Sequence, residues 1–158
     1  MSDARFEDGA EQPLRLIAQD AEGLAVIAAL LQDAVFPITE MSLVRHKRRF
    51  ALMLNRFRWE DRDAAAQAGR KYERVQSLLV FEDVLAVRSQ GIDRSDKDMI
   101  LSLLDISFTP GADGTGLVTL VLAGDGAIGL DVEALDATLR DVTRPYLAPS
   151  GKVPQHDL

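Results

Sequence analysis

Two groups of charged residues in this chain have the types and spacing to do chemistry. Arg45, His46, Lys47, Arg48 and Arg49 form an unbroken basic run, with Arg56 and Arg58 shortly after it. Guanidinium and ammonium groups bind carboxylates and phosphates through charge-assisted hydrogen bonds, and arginine does so with two parallel donors. Far downstream, Asp131 and Glu133 stand two residues apart, a spacing that puts both carboxylates on one face of a strand. A cleft uniting them with Arg56 and Arg58 would clamp an anionic substrate and offer a carboxylate as general acid or base. The plainer alternatives are an ion-pair network that only holds the fold, or arginines that emerge into water at the end of a sheet.

The charge distribution singles out the first group. Residues 45–74 carry ten Lys/Arg against four Asp/Glu, a local +6 in a chain of formal net charge −7. Arg45, Lys47, Arg48, Arg49, Arg56 and Arg58 are therefore the candidate anion-binding residues, and an anionic ligand or protein partner could be met there and nowhere else. Phe57, Trp59 and Tyr72 are close in sequence, and rings among cations are what bases stack on. The acidity of the whole molecule opposes this, because affinity for phosphate backbones comes from neutralising charge. Nucleic acid is a disfavoured partner rather than an excluded one. The competing account of the basic run is a solvated turn whose long stems cover apolar surface and guard a sheet edge.

Other chemistries find little support. The chain has no cysteine, which removes thiolate catalysis, thiolate metal sites and disulfides together and agrees with a reducing compartment. His46 and His156 have no second ligand at metal spacing, so no metal and no cofactor is expected. Gly111, Gly114 and Gly116 fall between strands, with no helix N-terminus behind them to receive a phosphate. Ser102 lacks a G-x-S-x-G setting.

The elements that must position these residues follow from periodicity. A chain of 158 residues is about one domain's worth. Residues 1–12 are polar and without period and read as a disordered leader, residues 13–145 as one α+β domain, and residues 146–158, with Pro149 and Pro154, as an extended tail. Leu14 to Ala18 predicts a strand. Asp20 predicts the cap of a helix over residues 21–34, with apolar Leu24, Ile27, Ala28, Leu31 and Val35 at helical spacing. Val26 and Leu30 widen that stripe beyond what one buried face needs, which predicts self-association, a homodimer through this helix. Period two then takes over. Residues 38–44 and 49–59 predict a hairpin turning at His46-Lys47-Arg48, with Phe50, Leu52 and Leu54 sharing a face with Arg56 and Arg58. Residues 61–68 predict one or two helical turns. Further strands are predicted over 72–81, 84–89, 99–109, 117–123 and 127–133, with a tight hairpin at Gly124-Asp125-Gly126. Leu135, Thr138, Leu139 and Val142 predict a second principal helix.

About eight strands joined by short links predict a mainly antiparallel meander sheet or partly open barrel, with two principal helices. No apolar run approaches the roughly eighteen residues of a membrane span, and the acidic N-terminus has no signal-like pattern. The expected address is cytoplasmic.

The strings Arg48-Arg49-Phe50-Ala51-Leu52-Met53-Leu54-Asn55-Arg56-Phe57-Arg58-Trp59-Glu60 and Val84-Leu85-Ala86-Val87-Arg88-Ser89-Gln90-Gly91-Ile92 resemble a bacterial, chiefly alphaproteobacterial family, DUF2948. Pro13 to Glu22, Leu30 to Val35 and Gly126 to Glu133 are similar to the same family, so the resemblance covers nearly the whole chain from Pro13 onward. It implies a small cytoplasmic bacterial protein and brings with it no activity, cofactor or catalytic residue. The residues themselves favour a non-enzymatic binding or accessory module that turns a basic hairpin toward an anionic partner. The alternative is a small enzyme acting on an anionic metabolite through Arg56, Arg58, Asp131 and Glu133.

Overall fold

Alternation of apolar and polar side chains governs most of the chain, and strands carry most of the structure. A computed structural model describes residues 13–69, 73–143 and 146–147. The expectations for the leader, for Arg70, Lys71 and Tyr72, for Pro145 and for the tail from residue 148, including His156, lie outside the described residues.

The elements run β1 (Arg15–Ala18), α1 (Ala21–Leu30), β2 (Val35–Pro37), β3 (Met41–Val44), β4 (Arg49–Phe57), α2 (Arg62–Gln67), β5 (Glu73–Phe81) and β6 (Val84–Gln90). They continue with β7 (Ile100–Pro110), β8 (Gly116–Leu122), β9 (Ala127–Val132), β10 (Ala137–Asp141) and β11 (Tyr146–Leu147). The strands form one eleven-stranded sheet in the order β1-β10-β5-β4-β2-β7-β8-β9-β6, with β11 beside β5 and β3 beside β4. Every pairing is antiparallel. The sheet is open, with β1 and β6 at its ends, and it is rolled. Leu52, Leu54 and Leu79 of one half meet Leu120, Ile128 and Leu130 of the other in a single apolar cluster, which Leu24, Ile27 and Ala28 of α1 complete.

Asp20 caps α1 as its sequence predicts, its side chain accepting from Gly23 N at 2.7 Å. The helix ends at Leu30 rather than at residue 34. Asp33 adopts a left-handed backbone (φ 65°), which a short polar side chain tolerates. Its N–H then donates to Leu103 O, and Ala34 O accepts from Leu103 N. Val35 is thereby drawn from the helical stripe into β2.

The predicted second principal helix over residues 135–142 is β10, a strand between β1 and β5. Leu135 and Leu139 are four residues apart, a spacing that suits a helix face and, being even, a strand face as well. Leu135, Ala137 and Leu139 are buried while Thr138 and Arg140 are not, so period two prevails. What decides it is β5, whose second edge would otherwise be unpaired. Ile38–Glu40 form a 3-10 turn, so the strand predicted over 38–44 begins only at Met41, and the one predicted over 49–59 ends at Phe57. The other strands follow their predicted spans closely, and the hairpin at Gly124-Asp125-Gly126 forms, with φ positive at Gly124 and Asp125. Among the described residues no helix is long and apolar enough to cross a membrane.

Candidate functional site

The basic run occupies the end of the β3–β4 hairpin. Arg45 to Lys47 make a single 3-10 turn, and Arg48 closes it in the left-handed region (φ 52°) while its O accepts from Val84 N. The turn thus lies against the start of β6, and its cations part into two groups. Arg48 pairs with Glu133, and Arg49 donates to Glu82 at 2.7 Å. Arg45 and Lys47 are exposed, and their side chains have neither ion pair nor hydrogen bond among the described residues.

Arg56 and Arg58 stand elsewhere. The inward face of β4 runs Phe50, Leu52, Leu54, Arg56, and the strict alternation carries Arg56 to full burial. A guanidinium there needs every donor answered. Glu60 accepts from Nη1 and Nη2 at 2.8 Å each, Asp141 accepts from Nε at 3.1 Å and Nη2 at 3.0 Å, and Ser77 Oγ accepts from Nε at 3.1 Å. Burial pulls the Arg56 pKa down, but the hydrogen bonds and charges of Glu60 and Asp141 outweigh it and the value rises. For Glu60 and Asp141 burial pushes the carboxyl up, and the hydrogen bonds from Arg56, joined at Asp141 by those from Ser77 and Leu14 N, bring it below the usual range. Arg58 lies between Glu73, at 2.7 Å, and Asp61, at 3.6 Å.

The cleft uniting these arginines with Asp131 and Glu133 therefore does not form. Asp131 pairs with Arg88 on the outer surface and Glu133 with Arg48, while Arg56 is out of any ligand's reach. Phe57 and Trp59 are also misplaced for stacking beside the basic turn. Phe57 is buried, and Trp59 packs edge-on against it and donates Nε1 to Gln32 O. They stand at the far end of β4, roughly 25 Å from the turn at about 3.3 Å per residue.

What the basic turn does border is a cavity of about 500 Å³ between β3 and β6. Among the described residues both are edge strands, β3 paired only with β4 and β6 only with β9. Met41 and Leu43 alternate inward from β3, and Ile38, Phe50 and Ile128 form the floor. Val87 and Ser89 complete the wall because of a β-bulge. The register slips between Val84 and Ala86, leaving Leu85 as the extra residue, 56% exposed. Val84, opposite Val132, faces the core, and after the slip it is Val87, opposite Leu130, and Ser89, opposite Ile128, that face inward.

The rim is cationic. Arg45 comes from the basic turn, and Arg94 and Lys97 come from the segment linking β6 to β7. That segment also carries Asp93, Asp96 and Asp98, none of which is among the lining residues, and the carboxylates of Asp93 and Asp96 are occupied in its own turns. Asp93 accepts from Ser95 N and Oγ, which hold its carboxyl below the usual range, and Asp96 accepts from Asp98 N at 3.1 Å. The segment is anchored at both ends. Ile38 N donates to Met99 O at 2.9 Å. At the other end Gly91 (φ 68°) lies so close to the β8–β9 turn that a Cβ would fall 2.9 Å from Asp125 O. Among the described residues no carboxylate lines the cavity, and Arg45, Arg94 and Lys97 have no ion pair.

Of the six predicted anion-binding residues, only Arg45 lines this cavity. Arg94 and Lys97 were missed, since in sequence they sit in a mixed-charge loop that gives no local excess. A second cleft, about 560 Å³ between α1 and β7, has Asp105 as the one charged residue among its described lining and, among those residues, no cation for an anion. Val26 is 53% exposed, whereas Leu30 is partly buried against the core. Among the described residues no group of three His, Cys, Asp or Glu is placed to hold a metal ion.

A family model described as Protein of unknown function (DUF2948) matches residues 14–156, nearly the whole chain, and the chain belongs to that family. No curated protein and no solved structure matches it.

Proposed function

We propose that this DUF2948 protein is a non-enzymatic binding module, cytoplasmic and bacterial, that takes up an anion in the mouth between β3 and β6. One observation carries the reading. Arg48, Arg49, Arg56, Arg58 and Arg88 are each matched by a carboxylate, while the three cations on the cavity rim are matched by none among the described residues. Like charges gathered at a concave, partly apolar surface raise the local concentration of counter-ions. Thr39, Ser42 and Ser89 add hydroxyls to the lining, with no carboxylate or imidazole among the described lining residues to draw a proton from them. That composition supports binding over acid–base chemistry.

The competing account is that the cations merely guard two sheet edges. Amide chemical shifts recorded during titration with inorganic phosphate separate the two. Shifts confined to the neighbourhood of Arg45, Arg94 and Lys97 are expected. Equal shifts around Arg15 and Arg140, an exposed cross-strand pair elsewhere on the sheet, or no shifts at all, overturn the proposal.

A further inference from the structure

Resting on that reading, we infer that the ligand is an amphipathic carboxylate, an acyl-type chain whose terminal anionic head sits at Arg45, Arg94 and Lys97. The cavity keeps its cations apart from its apolar floor. The strands and the floor contribute Ile38, Met41, Leu43, Phe50, Val87 and Ile128 beside the hydroxyls of Thr39, Ser42 and Ser89, whereas the cations come from the turn before β4 and, with Ile92, from the segment after β6. A compact polar anion would neutralise the rim and leave the apolar floor wet. A neutral apolar ligand would fill the floor and leave the cations without counter-charge. An apolar body ending in a charge satisfies both at once.

The volume, about 500 Å³, falls within the roughly 300–1,000 Å³ of small-molecule sites, which favours a free ligand over a broad surface contact. Met41 on the wall adapts its shape to a flexible chain. The cationic segment is tied into place before any ligand arrives, by Gly91 against Asp125 and by Ile38 N on Met99 O, so little ordering accompanies binding. Burying one methylene changes affinity by about fourfold, which is about 0.8 kcal/mol.

Calorimetric titration of the full chain with acetate, hexanoate, octanoate, decanoate and decanol tests this. Affinity is expected to rise by roughly fifteenfold for each two methylenes from hexanoate to decanoate, and decanol is expected to bind at least tenfold more weakly than decanoate. Arg94→Gln with Lys97→Gln, both exposed and outside the core, is expected to weaken decanoate by about tenfold. Ser89→Trp, which fills the mouth from an exposed position, is expected to abolish binding. Acetate binding as well as decanoate overturns the amphipathic class and leaves the anion site standing. Decanol binding as well as decanoate overturns both, as does the failure of every probe. Undiminished decanoate binding to folded Ser89→Trp protein overturns the location.

Discussion

Arg56 and Asp141, 85 residues apart in the chain, face each other through two hydrogen bonds, Nε to Oδ1 at 3.1 Å and Nη2 to Oδ2 at 3.0 Å. Asp141 also accepts from Ser77 Oγ at 2.6 Å and from Leu14 N at 3.0 Å. One carboxylate on β10 thus ties β4, β5 and the entry to β1. Asp141→Asn leaves Arg56 buried with one carboxylate instead of two. The expected loss is about 3 kcal/mol, the low end for breaking a buried pair, read from urea unfolding midpoints. A loss under about 1 kcal/mol would mean that Glu60 alone suffices.

Acid should unfold the protein through the same network. The carboxyls of Asp141 and Glu60 are lower in the folded state than their ordinary values. The unfolded chain therefore binds protons more readily as pH falls. Their contribution is fully present above the unfolded values of about 3.9 and 4.3 and is lost progressively as pH drops below about 4 toward the folded values. Thermal melts between pH 7 and pH 2.5 check this. Asp141→Asn protein should lose less stability across that window than the parent, and an unchanged slope would assign the acid sensitivity to other carboxylates.

Gly91 couples stability to the candidate site. Its φ of 68° and the 2.9 Å approach of a would-be Cβ to Asp125 O leave no room for a side chain. Gly91→Ala is expected to cost about 1–2 kcal/mol from the left-handed backbone, and to shift the segment bearing Arg94 and Lys97. Decanoate affinity should fall although no cavity residue has changed. Retained affinity in the destabilised variant would show that the segment keeps its place without this anchor.

Self-association through α1 now depends on Val26, because Leu30 packs toward the core. One half-exposed valine is far short of the roughly 1,000 Å² that a stable interface buries. Light scattering at micromolar concentration is expected to return a mass near 17.3 kDa. Twice that value, lowered by Val26→Asp, would establish the helix-mediated dimer.

Much of the scaffold was legible in local sequence because its signals are local. Asp20 before a helical stripe, alternation through Phe50, Leu52 and Leu54, and Gly124-Asp125-Gly126 each constrain the backbone within a few residues. The same alternation placed Arg56 on the buried face and required a carboxylate partner. It could not say which one. Asp141 and Glu60 answer Arg56, and Asp131 turns to Arg88, because pairing is settled by which strands become neighbours, and that is a property of the whole sheet. Leu135 to Val142 became β10 rather than a helix for the same reason, since β5 offered an edge to a segment whose apolar spacing suited either period. The cavity between β3 and β6 depends on tertiary structure most of all. A one-residue slip at Leu85 turns Val87 and Ser89 inward, and the roll of the sheet brings Arg45 to Arg94 and Lys97 across more than 40 residues of chain. The order of residues sets where the charges lie along the chain, while the roll of the open sheet decides which of them share one mouth.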